Sequence, residues 1–209
     1  MIVDDTDQEA WLLFKPNIWH MINLNCVQRQ IERIVQGSPV AEDPTHAENT
    51  VVWLLRLKPD ADEALQLAAF GHDIERALEG RKVKRDSFAT FDDFKRAHAF
   101  NSARIVAEIM ENCQMEKPLI RDVFDLISQH ETGGSKRADI LKNADALSFF
   151  DVNLASYFSR NTRDEVLSRC VWGYQRLAPH LRRLLAAMKY ESRDVEALLR
   201  EVMAQEENE

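Results

Sequence analysis

Residues 67–78 read LAAFGHDIERAL. A run of apolar and small residues from Leu67 to Gly71 leads straight into the adjacent pair His72 and Asp73, and apolar residues resume at Ile74 and Leu78. Leu65 and Ala69 stand seven and three positions before His72, on one face of a helix, so the imidazole falls on the stripe that a helical domain turns inward. Asp73 lies beside Ala69 and Phe70. A core stripe that ends in two ionisable groups points both to the fold class and to the place where chemistry belongs.

Outward from this stretch, apolar residues keep recurring at spacings of three and four rather than two, and only 6 Gly and 6 Pro interrupt the chain. Helices are expected over Asp7–Gln36, His46–Lys58, Ala61–Leu78, Phe91–Cys113, Pro118–His130, Ala138–Ser159, Arg163–Leu177 and Pro179–Ala204, the last broken near Tyr190. With 209 residues, 45% of them apolar, the chain suits one filled core. The expected fold is therefore all-α: a single bundle of about seven to nine helices over residues 1–209. Its ligand-bearing core spans about 40–160, with helical extensions at both ends. Turn-rich segments fall at GSPVAEDPT, EGRKVKRDSFAT and ETGGSKR. The Arg81–Thr90 connection is the longest, a length that suits a lid or substrate loop.

A net charge of −8 argues against broad binding to extended nucleic acid, which draws on many cationic contacts to phosphates. A small anionic substrate needs only local positive charge, and RKVKR at Arg81–Arg85, with Lys95 and Arg96 nearby, supplies it. No stretch approaches the ~20 apolar residues of a membrane span, and MIVDDTDQEAWLLFKP lacks the basic start and apolar run of a secretory signal. A cytoplasmic location is expected, with no membrane partner, and a second copy of the chain is a candidate partner. Cys26, Cys113 and Cys170 stand far apart and form no paired motif, so they are expected reduced and buried, without a disulfide or thiolate site.

Four further segments repeat the anomaly of His72 and Asp73. His46 shares a face with Thr50, Trp53, Leu54 and Leu57; His98 with Phe94, Ile105 and Ile109; His130 closes the series Leu119, Val123, Leu126; Asp145 lies between Leu141, Phe149 and Val152. A lone buried carboxylate costs several kcal/mol or more, so it must pair, shift its pKa or bind metal. No arginine shares the Asp145 stripe, although Lys142 or Arg137 offer local pairing. Convergence on a common cation resolves all these exceptions together. Imidazole and carboxylate suit manganese, iron, cobalt, nickel or zinc, with magnesium as a further candidate, and four to six such ligands fit one or two ions. Arg76, four residues after His72, and Lys142, three before Asp145, are the best-placed local cations, followed by Arg81 and Lys82 of the basic loop. Glu75 and Glu131 read as solvent-facing, His20 and His180 as ordinary packing or surface residues, and Trp11, Trp19, Trp53 and Trp172 as dispersed core.

The order His46, His72–Asp73, Asp145 resembles the signature of HD-domain metal-dependent phosphohydrolases. THAENTVVWLL, LAAFGHDIERAL, RAHAFNSARIVAEIM, DLISQHETGG and ILKNADALSFF are similar to the corresponding segments of that superfamily, over about half the chain. The resemblance implies that these four residues hold one divalent ion and that His98 and His130 extend the site to a second. Asp73 would then bridge, with His46, His72 and Asp145 on one ion and His98 and His130 on the other. It implies a phosphomonoesterase or phosphodiesterase acting on a nucleotide or other small phosphorylated metabolite through a metal-activated water. Asp73 and His72 would act in catalysis with Arg76 and Lys142, and Arg76, Lys142, Arg81 and Lys82 would bind the substrate. No GYP triplet accompanies the ligands, so the cyclic-dinucleotide subgroup does not fit. The same ligand order also serves HD-type di-iron oxygenases, and a metal-stabilised module that binds nucleotide without turnover is a third reading.

Overall fold

The computed structural model describes residues 5–206, with side chains from His20 onward. Among the described residues it contains helices and no strand: α1 Asp5–Gln36, α2 Asp43–Leu57, α3 Glu63–Gly71, α4 Phe91–Asn112, α5 Lys117–Ser128, α6 Lys136–Ser148, α7 Leu154–Arg160, α8 Arg163–Arg176, the single turn α9 Pro179–Arg182, and α10 Arg193–Glu206. The all-α expectation holds. None of these helices is long and apolar enough to cross a membrane.

The helix starts follow local chemistry. The first turn of a helix leaves backbone N–H groups without intrahelical partners, and short polar side chains satisfy them. Asp62 accepts from Leu65 N at 2.9 Å, Thr90 from Asp93 N at 3.0 Å and Ser135 from Ala138 N at 3.1 Å. Thr162 and Glu165 cap α8 reciprocally. Pro44, Pro118 and Pro179 occupy first turns, where a missing N–H costs nothing.

Three breaks differ from the periodic reading. The expected Ala61–Leu78 helix stops at Gly71 and resumes as a 3-10 turn over Ile74–Ala77, so His72 and Asp73 sit at the junction. Asp73, at φ −105° and ψ 13°, lies outside helical geometry. The expected Ala138–Ser159 helix is interrupted by a π turn over Phe149–Asn153, where Asp151 accepts from Trp53 and Asn49 of α2. The last segment is divided into α9, a 3-10 turn at Leu185–Ala187, and α10. Periodicity within a single segment records neither of the first two breaks.

Leu54, Leu65, Ile105, Met110, Ile127 and Leu141 are fully or almost fully buried in a cluster drawn from α1 through the first half of α6. A second cluster, around Phe150, Leu154, Cys170 and Tyr174, extends from the end of α6 to α10. Each large side chain taken from water contributes roughly 1.5–3 kcal/mol. Gly71 marks the closest approach within the first cluster: a Cβ there would meet Val106 Cγ2 of α4 at 2.8 Å. Val106 is β-branched and fully buried, so it cannot turn aside. Gly71→Ala is expected to cost about 1–3 kcal/mol in chemical denaturation, and an unchanged midpoint would contradict this packing.

The expectation of reduced cysteines is corrected. Cys26 and Cys113 form a disulfide, with Cα atoms 5.8 Å apart, joining α1 to the end of α4 across 87 residues of sequence. Gln30 Nε2 donates to both sulfurs. Sequence spacing missed the pair because the antiparallel return of the chain, not proximity in sequence, brings it together. Cys170 is free and buried, as expected.

Candidate metal centre

Five elements deliver the predicted residues to one point. His46 comes from α2, His72 and Asp73 from the junction after α3, His98 from α4, His130 from just beyond α5 and Asp145 from α6. His46, His72, His98, His130 and Asp145 are buried. The Asp73 side chain, at 16% exposure, is the most open of the six.

Asp73 lies at the middle. Its carboxylate is 2.7 Å from His98 Nε2, 3.7 Å from His130 Nε2, 3.8 Å from His72 Nε2 and 3.9 Å from His46 Nε2. Asp145 Oδ1 approaches His46 Nε2 at 3.2 Å and His72 Nε2 at 3.5 Å. All four imidazoles therefore turn Nε2 inward. Their outward nitrogens are held by oxygens: His72 Nδ1 donates to Ala69 O at 2.9 Å, His130 Nδ1 to Ile127 O at 2.7 Å, and His98 Nδ1 to Glu75 Oε1 at 2.7 Å. Ser148 Oγ donates to His46 O and so accepts from His46 Nδ1 at 3.0 Å. Carbonyl and carboxylate oxygens only accept, which puts a proton on each outward nitrogen and leaves each inward nitrogen to carry either a second proton or a metal.

That arrangement fits a cation. His46 Nε2 and His72 Nε2 stand 3.2 Å apart, so two lone pairs would repel unless a proton or metal lies between them. His130 Nε2 is buried without a hydrogen bond. Two sets, His46–His72–Asp73 and Asp73–His98–His130–Glu131, each place their ligand atoms within 4.8 Å of one another, and Asp73 is common to both. His72, His130 and Asp145 form a third such set. These buried groups could hold a metal ion.

The electrostatics point the same way. Burial pushes the His72 pKa down, but Asp73 and Asp145 outweigh it and raise the value to about 9. Burial likewise opposes ionisation of Asp73, yet His72, His98 and Arg76 hold it well below the usual carboxylate range. For Asp145 the hydrogen bonds from His46 and His72 and the charge of Arg176 overcome burial in the same direction. Among the described residues, five carboxylates of the cluster, Asp43, Asp73, Glu75, Glu131 and Asp145, face three ion-paired cations, Arg76, Lys95 and Arg176, with Arg169 a fourth in the field of Asp145 and Glu131. With neutral imidazoles the balance is negative, which attracts divalent ions.

Several functional partners were not legible beforehand. Glu75 and Glu131, read as solvent-facing, are 1% and 7% exposed. Glu75 holds His98 and accepts from Asn101 Nδ2 and Val83 N. Glu131 pairs with Lys95 and with Arg176 at 2.7 Å, and approaches His130 Nε2 at 3.4 Å. The counter-cation of Asp145 is Arg176 of α8, at 3.2 Å, rather than Lys142 or Arg137. Adjacency to a core-facing histidine was the available signal for Glu131; nothing local marked Arg176.

Of the cations expected near substrate, Arg76 is at the centre, bonded to Asp73 at 3.2 Å and Asp43 at 3.0 Å, with a third of its side chain exposed. Lys142 is directed elsewhere, 3.6 Å from Asp139 beside the Gly133 turn. Arg81 pairs with Glu108 and Lys82 with Glu79 on the surface. His20 pairs with Glu63, outside the cluster, and His180 is exposed. Trp172 is corrected from core to a half-buried position beneath cations, and Trp53 is half-buried and bonded to Asp151. The Trp11 and Trp19 side chains lie outside the described residues.

Fold and site together define an all-helical protein built around a buried histidine–carboxylate cluster that could hold a metal ion. The chain belongs to the family described as a domain of unknown function, DUF4202, which matches residues 26–198 and so takes in all six converging residues. No curated protein and no solved structure matches it.

Proposed function

We propose that this chain is a metal-dependent phosphohydrolase of the HD type, acting on a small phosphorylated metabolite, nucleotides included. The observation that carries the reading is the inward turn of four histidine Nε2 atoms around Asp73, each fixed by an oxygen on its far nitrogen. Nitrogen and carboxylate donors without thiolate suit manganese, iron, cobalt, nickel or zinc. His46, His72 and Asp145 would hold one ion, His98 and His130 with Glu131 a second, and Asp73 both. Bound ions of this kind supply Lewis acidity toward phosphate oxygens and an activated water near neutral pH.

The chain's own residues do the rest. Arg76 is the partly exposed cation beside Asp73 and can take a phosphate oxygen without leaving Asp43. Glu75 and Asn101 lock the His98 ring, and Ser148 locks His46, so the ligand geometry is set before substrate arrives. Although burial opposes its charge, Glu131 is kept ionised by Lys95 and Arg176, so it serves as an acceptor and not as an acid.

The test is to strip the purified chain, reload it with manganese, cobalt, nickel or iron, and measure phosphate release from nucleotides and generic phosphoesters. Turnover that follows metal content is expected. Absence of turnover with every metal and substrate, or oxygen uptake by the iron-loaded chain without phosphate release, overturns the reading.

A further inference from the structure

Beside the metal centre lies a cleft of about 670 Å³ lined by Arg85, Phe91, Tyr157, Ser168, Arg169 and Trp172, with Asp164 and Glu165 also on its wall. Trp172 and the cations packed on its ring stand between it and the centre. The Trp172 ring has Arg176 at 4.3 Å and Lys95 at 5.5 Å, and both of these cations pair with Glu131 of the centre. Phe91 meets Trp172 edge to face at 5.2 Å, and the line of rings continues through Phe94 to His98. The cleft and the centre thus share a wall made of Trp172, Phe91 and the cations that pair with Glu131.

Arg169 is the unusual residue in that wall. Its guanidinium stacks on Phe149 at 3.9 Å and on Trp172 at 4.7 Å, which fixes its plane. Nη1 is buried against Gly173 and makes no hydrogen bond. Among the described residues Arg169 has no carboxylate partner, whereas Arg76, Lys95 and Arg176 all have one. Arg85, at the mouth of the cleft, is bonded only to the carbonyl of Phe88 and likewise lacks a carboxylate. The neighbouring acids are otherwise employed or turned to solvent: Glu165 caps α8, Asp164 on the wall is exposed, and Asp145 and Glu131, which act on Arg169 through space, are ion-paired with Arg176. A guanidinium packed against two rings, with no carboxylate in direct contact, is suited to receive an anion that comes from elsewhere.

Resting on the phosphohydrolase reading, we propose that this cleft is a substrate subsite. In it Arg169, with Arg85 at the mouth, receives a second anionic group of the molecule whose phosphate ester is presented to the metal centre. Phe91 and Tyr157 offer apolar ring surface for a flat organic body between the two anions. The substrate class is thus a phosphate ester with an additional phosphate or carboxylate on a flat body, rather than a simple sugar monophosphate. The end of the Arg81–Thr90 connection contributes Arg85, which gives part of that loop a role in recognition.

The experiment is isothermal titration of the full chain in excess chelator, so that binding is read without turnover. The probes are adenosine 5′-diphosphate for ring plus anion, inorganic pyrophosphate for the anion alone and adenosine for the ring alone. The wild type is expected to bind the diphosphate and pyrophosphate. Arg169→Met, which keeps the stacked volume, is expected to weaken both by about tenfold or more, the usual scale of a charge-assisted bond. Adenosine binding should be equal in the two proteins. Arg169→Lys should fall between them, and it carries the test if Arg169→Met does not fold. Equal affinity of all three proteins for pyrophosphate, or no binding of either anion by the wild type, overturns the subsite. Arg169-dependent binding in a chain that hydrolyses nothing with any metal would sink the hydrolase reading and leave the subsite standing.

Discussion

An Asp73→Asn chain is expected to lose its bound metal and with it roughly 10³-fold or more of any metal-dependent turnover, since the ions' contribution is several kcal/mol at 1.4 kcal/mol per decade. Asp73 is chosen over the histidines because its carboxylate lies within 4 Å of all four Nε2 atoms, at 2.7, 3.7, 3.8 and 3.9 Å. Asparagine keeps the shape and removes the charge that both candidate ligand sets share. It also leaves Arg76 with Asp43 alone and exposes His98 Nε2 to an amide rather than a carboxylate. Breaking a buried charged pair from one side typically costs about 3–5 kcal/mol, so thermal denaturation should register the change even without metal. Elemental analysis is the direct readout. An Asp73→Asn chain that keeps wild-type metal content would place the ions, if any, somewhere other than this cluster.

The second large effect is a pair of opposite pH trends. In the metal-free chain burial presses the His72 pKa down, but Asp73 and Asp145 lift it to about 9, above the ordinary 6.5. His98 moves the same way, with Asp73 overcoming burial. A group whose folded pKa is raised contributes stability that is fully present below about 6.5 and is lost as pH rises through about 9. For His72 the contribution is on the order of 3 kcal/mol. The metal-free chain should therefore be more stable to denaturant at pH 6 than at pH 9.5. Metal binding runs in the other direction, because the inward nitrogen of His72 must release its proton to become a ligand. Apparent metal affinity should rise by about tenfold per pH unit up to about pH 9, measured by competition with a chelator of known titration. A flat affinity profile would mean that His72 is not a ligand; a metal-free stability that rises with pH would mean that the cluster does not collect a proton in place of a cation.

The legible part of this molecule is the part that carries a local cost. His46, His98, His130 and Asp145 each occupy a stripe otherwise made of apolar residues, and burying such a group without recompense is expensive wherever the helix goes. The pattern is thus visible before any packing is known. Lys142 shows the limit of the same reasoning. Its place one turn from Asp145 is real, but a long flexible side chain chooses among partners, and Asp139 beside the Gly133 turn takes it.

What periodicity could not supply are the relations between distant segments. The need for a glycine at position 71 depends on how closely α4 approaches, since Val106 leaves no room for a Cβ there. Arg176 neutralises Asp145 and Glu131 from 31 and 45 positions away in sequence, and only the return of α8 against α6 makes that pairing. The Cys26–Cys113 disulfide and the carboxylate-free Arg169 belong to the same class. The sequence by itself determined that this chain is helical and which six side chains are misplaced in a simple apolar core, because helix period and burial cost are properties of each segment alone. Only the tertiary structure decided that the six meet, that Glu75, Glu131 and Arg176 surround them, and that a cleft with an unsatisfied guanidinium opens alongside. Those facts depend on where separate helices cross, which no single stretch of chain encodes.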